Sequence, residues 1–178
     1  MALLRGIGPM NPNMRNDKLR WVFEGMGFSN VATVISSGNV VFDSRARNVA
    51  ALEGRIEAAW PPQLGFTSTT IIRSRGEIEA MIAADPFASH QDAKDASQQV
   101  TFLKRELDPP LVPVTSERGR YEIVAVDATA IYSVIDETGP PTALLRDLER
   151  THGKSMTTRS WKSVHRIAKA MATTKTSA

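Results

Sequence analysis

The chain of 178 residues contains no cysteine. That absence removes disulfides, thiolate metal sites, iron–sulfur ligation and cysteine nucleophiles together, and it agrees with a cytoplasmic protein. No apolar run approaches the ~20 residues that span a bilayer, and the start lacks the basic-then-apolar pattern of a signal peptide, so a membrane partner and secretion are not expected. Three histidines, His90, His152 and His165, are too scattered for the convergent ligands of a zinc site. His90-x-Asp92 lies in a polar stretch and reads as a solvated pair. A Gly-Lys-Ser/Thr phosphate loop and a Gly-x-Ser-x-Gly nucleophile elbow are both missing. Gly6-x-Gly8 follows a strand pattern, but Asn11 stands where the third glycine of a dinucleotide fingerprint belongs and Pro9 interrupts the turn. No cofactor is expected.

Acid is missing from one end of the chain. Residues 1–74 carry 8 basic and 5 acidic side chains, residues 75–150 carry 8 and 14, and residues 151–178 carry 6 and none. The net charge of +3 therefore hides an acidic middle and a basic terminal segment, which could attract phosphates, nucleic acid or the chain's own carboxylates.

What is present reads as an alternation of elements. Met1–Arg5 forms a short buried strand, and Leu19, Val22, Phe23 and Met26 fall at i, i+3, i+4 and i+7 of a helix over 17–26 that Gly27 ends. VATVISSGNVVFDS, from Val31 to Ser44, has two β-branched runs around a Ser-Ser-Gly-Asn turn, the composition of a hairpin. A second helix over 48–60 places Val49, Leu52, Ile56 and Ala59 on one stripe and stops at Pro61-Pro62. A strand over 66–73 completes β-α-β-β-α-β, with Leu19, Val22, Phe23, Leu52 and Ile56 expected on one sheet face. Ser74-x-x-Glu77 is a capping box that opens a further helix ending at Asp85-Pro86. Strands over 99–103, 121–126 and 130–135, a helix over 142–150, a short strand over 155–158 and a terminal helix follow. The second half thus reads β-x-β-β-α-β, with a proline-rich connection where the first helix would be. The expected fold is α+β: two ferredoxin-like halves with antiparallel sheets, 1–74 and 75–178, the second eroded and carrying a C-terminal basic amphipathic helix.

LRGI at Leu4–Ile7, ISSGNVVF in the hairpin, Asp85-Pro86-Phe87 leading to Val100–Leu103, and TTRSW at Thr157–Trp161 occur in an order that resembles the bacterial family called domain of unknown function 1697. The resemblance implies the two-half architecture over nearly the whole chain and no assigned activity. The chain departs from the family's glycine-rich loop at Gly8–Asn13, from its Arg-Ser-Lys-like turn at Gly139–Ala143, and from its Arg-Asn-Trp-Asn at Arg159–Lys162.

Candidate ligand-binding residues sit where the expected sheets begin and turn. Arg5 ends an apolar strand, so its cation either pairs with a carboxylate such as Asp43 or holds an anion. Ser37 and Asn39 flank Gly38, where short polar side chains either bind a ligand or stabilise the turn. Thr158 and Arg159 precede the terminal helix, as an anion site or as a simple N-cap by the threonines. Trp161 is the expected core anchor of that helix. Along it, Arg159, Lys162, Arg166 and Lys169 share one stripe, opposite Trp161, Val164, Ala168 and Met171. Such a stripe suits polyanions without reading sequence. RNA recognition by stacked bases is disfavoured, because the first strand offers no aromatic and the hairpin only Phe42.

No Ser, His and Asp constellation with recognisable spacing emerges. The leading expectation is a non-catalytic binding protein for an anionic small molecule or an acidic partner. The alternatives are an enzyme acting on a small phosphorylated or carboxylated substrate in a cleft between the halves with Arg5 and Arg159 as clamps, a weak nucleic-acid binder, and a homodimer whose surfaces serve assembly alone.

Overall fold

The computed structural model describes residues 1–173 apart from 9, 37, 95–96, 109, 117–119 and 137–141. It is an α+β protein with antiparallel sheets, divided into two compact units: Met1–Ile78 together with the chain from Arg166 on, and Glu79–His165. The terminal segment thus groups with the first unit. Among the described residues no helix is long and apolar enough to cross a membrane.

In the first unit the order is β1 (Ala2–Leu4), α1 (Asn16–Gly25), β2 (Ser29–Thr33), β3 (Asn39–Asp43), α2 (Val49–Leu64) and β4 (Thr70–Ile72). The strands lie in the order β2-β3-β1-β4, every neighbour antiparallel. Leu19, Val22 and Phe23 of α1 and Leu52, Ile56, Trp60 and Leu64 of α2 form one core with Ala2, Leu4, Val40, Phe42 and Ile72, so both helices cover the same sheet face. Alternation explains the selection, since these strand residues are two apart and project to one side. Val49, expected on the α2 stripe, is 47% exposed, because it stands in the first turn beyond the sheet contact.

Glycine ends α1 as its spacing suggests. The Gly27 amide donates to the Glu24 carbonyl and the Phe28 amide to that of Phe23, with the Phe23 and Phe28 rings 5.7 Å apart, a Schellman motif with its hydrophobic clasp. The prolines of α2 do not end it. The helix runs through Pro61 and Pro62 to Leu64 and is closed by Gly65 at φ 73°. Two helical hydrogen bonds are forfeited, but Trp60 and Leu64 are buried by that turn, and Asn13 Nδ2 donates to the Leu64 carbonyl at 3.0 Å. Tertiary burial outweighs the local rule.

The hairpin turn depends on glycine twice. Gly38 has φ 73°, and a Cβ there would stand 2.6 Å from Ile7 Cγ1 and 3.0 Å from Leu4 Cβ. Its carbonyl accepts the Leu4 amide at 2.8 Å, which holds the turn against β1. Left-handed strain and overpacking together predict that Gly38→Ala costs about 2 kcal/mol. Urea denaturation measures this, and an unchanged midpoint would mean that the turn is rebuilt at no cost.

β4 forms the rim of the first sheet. Its backbone exchanges with β1 through Arg5–Thr69 and Arg73–Met1, so the amides of Thr70 and Ile72 point outward. Two glutamates one turn apart on α2 meet them: Glu57 Oε1 accepts from Thr70 at 2.7 Å and the buried Glu53 Oε1 from Ile72 at 2.9 Å.

The capping box forms as the spacing predicts: the Ser74 amide donates to Glu77 Oε2 at 2.7 Å and the Glu77 amide to Ser74 Oγ at 3.2 Å, opening α3 (Arg75–Ala83). The second unit continues with β5 (Gln98–Leu103), β6 (Val114–Thr115), β7 (Tyr121–Val126), β8 (Ala130–Ile135), α4 (Ala143–His152) and β9 (Met156–Ser160), and α5 (Trp161–Thr173) starts at its end. The strand order is β6-β7-β8-β5-β9, again antiparallel throughout. Leu103, Ile123, Ile131, Ile135 and Met156 pack with Leu144 and Leu148 of α4. The proline-rich connection contributes β6, a two-residue rim strand.

Candidate functional site

Arg5 follows β1 half-buried, its amide donating to the Thr69 carbonyl at 2.9 Å and its carbonyl accepting from Ser68 Oγ at 2.8 Å. With Gly38 bound to Leu4, Arg5 and the start of β3 share one end of the sheet. Asp43, offered as a partner for Arg5, accepts from Asn30 Nδ2 at 2.7 Å. Asn39 is buried, and its Nδ2 donates to the Val34 carbonyl at 2.9 Å across the turn. Its amide therefore stabilises the turn. Ser37 lies outside the described residues, as do Gly139–Pro141.

Thr157, Thr158 and Arg159 precede α5 as expected, but all three belong to β9, so the strand expected over 155–158 runs on to Ser160 and the threonines do not cap the helix. Pairing with Val100, Thr101 and Phe102 draws them into the sheet, and Thr158 Oγ1 lies 2.8 Å from Thr101 Oγ1. The cap is Ser160, whose Oγ accepts from the Ser163 amide at 3.3 Å. Arg159 is only 9% exposed, so it is not on the cationic stripe of α5. Its Nη1 donates to Thr157 Oγ1 and the Thr158 carbonyl, both at 2.8 Å, and burial pulls its guanidinium down to about 10.

The rest of the stripe stands. Lys162, Arg166 and Lys169 are exposed, whereas Trp161, Val164, Ile167 and Met171 are buried. None of the three cations makes an ion pair or a side-chain hydrogen bond among the described residues, which counts against pairing with the acidic middle. His90 pairs through Nε2 with Glu122 at 3.4 Å, so its partner is a residue of β7 rather than Asp92.

A further cluster, missed in the sequence, lies within the second unit. Tyr121 OH donates to Asp147 Oδ2 at 3.1 Å, and the Arg120 and Arg150 guanidiniums approach the same carboxylate at 3.6 and 3.8 Å. Burial pushes the Tyr121 phenol up from its ordinary range, and the hydrogen bond and charge of Asp147 add to it. No local sequence pattern marks it, because Arg120 and Tyr121 at the start of β7 meet Asp147 only through the fold, 26 residues beyond Tyr121.

The family model described as protein of unknown function (DUF1697) matches residues 1–132. The chain belongs to the DUF1697 family. This DUF1697 member is also similar to a solved structure, the conserved bacterial protein SP0830 from Streptococcus pneumoniae, with a TM-score of 0.66, 19% identity and 96% of each chain covered. That likeness is one of fold. Among curated proteins no significant match is found. Family membership supplies no activity for this DUF1697 chain, because function lives in a site's own side chains and not in the fold.

Proposed function

We propose that this is a non-catalytic binding protein, built of two ferredoxin-like halves, that holds an anionic partner on the exposed face of α5. The observation carrying the functional reading is that Lys162, Arg166 and Lys169 stand exposed at i, i+4 and i+7 with no ion pair among the described residues. At 1.5 Å rise per residue the row extends about 10 Å, long enough to follow several charges of an extended polyanion. The architectural reading is supported by the order β2-β3-β1-β4 in the first unit and its counterpart β7-β8-β5-β9 in the second.

Binding through such a row should be weak, indifferent to sequence and steep with salt. Three phosphate contacts on duplex DNA give a slope of log K against log salt near −2.7, or about fortyfold weaker binding at ~200 than at ~50 mM salt. Fluorescence anisotropy with a labelled duplex oligonucleotide as the polyanion probe tests this. The triple change of Lys162, Arg166 and Lys169 to Gln is expected to abolish the slope while leaving the apolar stripe intact. Absence of binding at 50 mM salt, or equal binding by the triple variant, would refute the reading.

A further inference from the structure

The second unit contains a cleft of about 650 Å³ between the β6–β7 rim and α4, within the size range of small-molecule sites. Its floor is apolar. Ile123, Leu144 and Leu148 reach it from the core of the unit, and Leu111 and Val114 extend it towards solvent, Val114 being 50% exposed. Its rim carries Arg120, Arg150, Tyr121 and Asp147.

The rim is unbalanced in charge and in hydrogen bonding. Among the described residues two guanidiniums face a single carboxylate, whose Oδ2 already accepts from the Tyr121 phenol. At 3.6 and 3.8 Å neither arginine makes a hydrogen bond to it, and neither side chain makes one elsewhere among the described residues. Arg120 Nε is buried without an acceptor. A guanidinium fork normally commits two parallel N–H donors to a carboxylate. Here Asp147 keeps both cations beside the cleft without saturating either.

We infer that this cleft is a binding site for a small amphipathic carboxylate, whose head is taken by Arg120 and Arg150 and whose apolar body lies on Ile123, Leu144 and Leu148. A cationic ligand would meet net positive charge. A neutral apolar one would leave the guanidinium donors unused, and an inorganic anion would gain nothing from the floor. The site is independent of α5, because no residue of the basic stripe lines it.

Isothermal titration calorimetry with octanoate, butyrate and 1-octanol tests the assignment. Octanoate is expected to bind, with affinity falling by up to about fourfold for each methylene removed towards butyrate, and 1-octanol is expected to bind at least about tenfold more weakly because it lacks the charge that the arginines meet. Arg120→Gln and Arg150→Gln are each expected to weaken octanoate about tenfold. The Arg150 side chain is 81% accessible, so the thermal midpoint of Arg150→Gln should not move. If Arg120→Gln disturbs folding, Arg150→Gln alone carries the comparison. Equal binding of octanoate and 1-octanol, unchanged affinity in the arginine variants, or no heat at millimolar octanoate in 50 mM salt would overturn the site. The triple α5 variant should bind octanoate as the parent does, so this test and that of the basic stripe can fail separately.

Discussion

Trp60→Ala is expected to destabilise the first unit by about 4 kcal/mol, within the range for truncating a fully buried indole. Trp60 has no exposed surface, and its ring lies 5.8 Å from that of Phe23 and stacks on Phe66 at 5.5 Å. It thereby joins α1, α2 and the segment entering β4. Its Nε1 lies 3.4 Å from Thr70 Oγ1, too long to carry much of the effect, so the loss is one of packing. Trp60→Phe should accordingly cost less than half as much. Urea denaturation followed by circular dichroism reads both, and a Trp60→Ala midpoint equal to the parent's would remove Trp60 from the core.

Trp161→Ala should cost about 3 kcal/mol or more. Trp161 opens α5 and is buried, its ring edge-on to Phe87 at 5.3 Å and to His165 at 4.8 Å. Val164, Ile167 and Met171 continue the buried face from that first turn, so removing its largest member leaves a void at the helix start. If the urea midpoints of variant and parent coincide, Trp161 is a surface residue and belongs with the binding face instead.

Elements whose signals are local are legible in the sequence. The hairpin is one, because Gly38 supplies a backbone conformation that few residues adopt and the flanking β-branched runs supply the pairing. The Ser74–Glu77 box is another, since both of its hydrogen bonds lie within one turn. The end of α2 is not legible. Proline's effect is local, whereas the burial of Trp60 and Leu64 that carries the helix onward is decided by the sheet beneath. The same division applies to Thr157 and Thr158, for which the sequence offered both a strand over 155–158 and a helix cap: threonine serves in either, and pairing with β5 decides for the strand and draws Arg159 in with it. The basic stripe survives because helical periodicity places Lys162, Arg166 and Lys169 without reference to anything else. The cleft could not be seen, because Tyr121 and Asp147 are 26 residues apart and each reads alone as an ordinary surface residue.

Glu53 and Glu57 have a consequence for growth of the first sheet. A strand from another chain docks on a rim by accepting the amides of alternate residues, and on β4 those of Thr70 and Ile72 are already given to carboxylates of the same unit. An incoming strand would have to evict two side chains anchored on a packed helix before its first hydrogen bond formed. The sheet is thus terminated on that side by its own sequence, and recruitment of a foreign strand, in assembly or in aggregation, finds no template along β4.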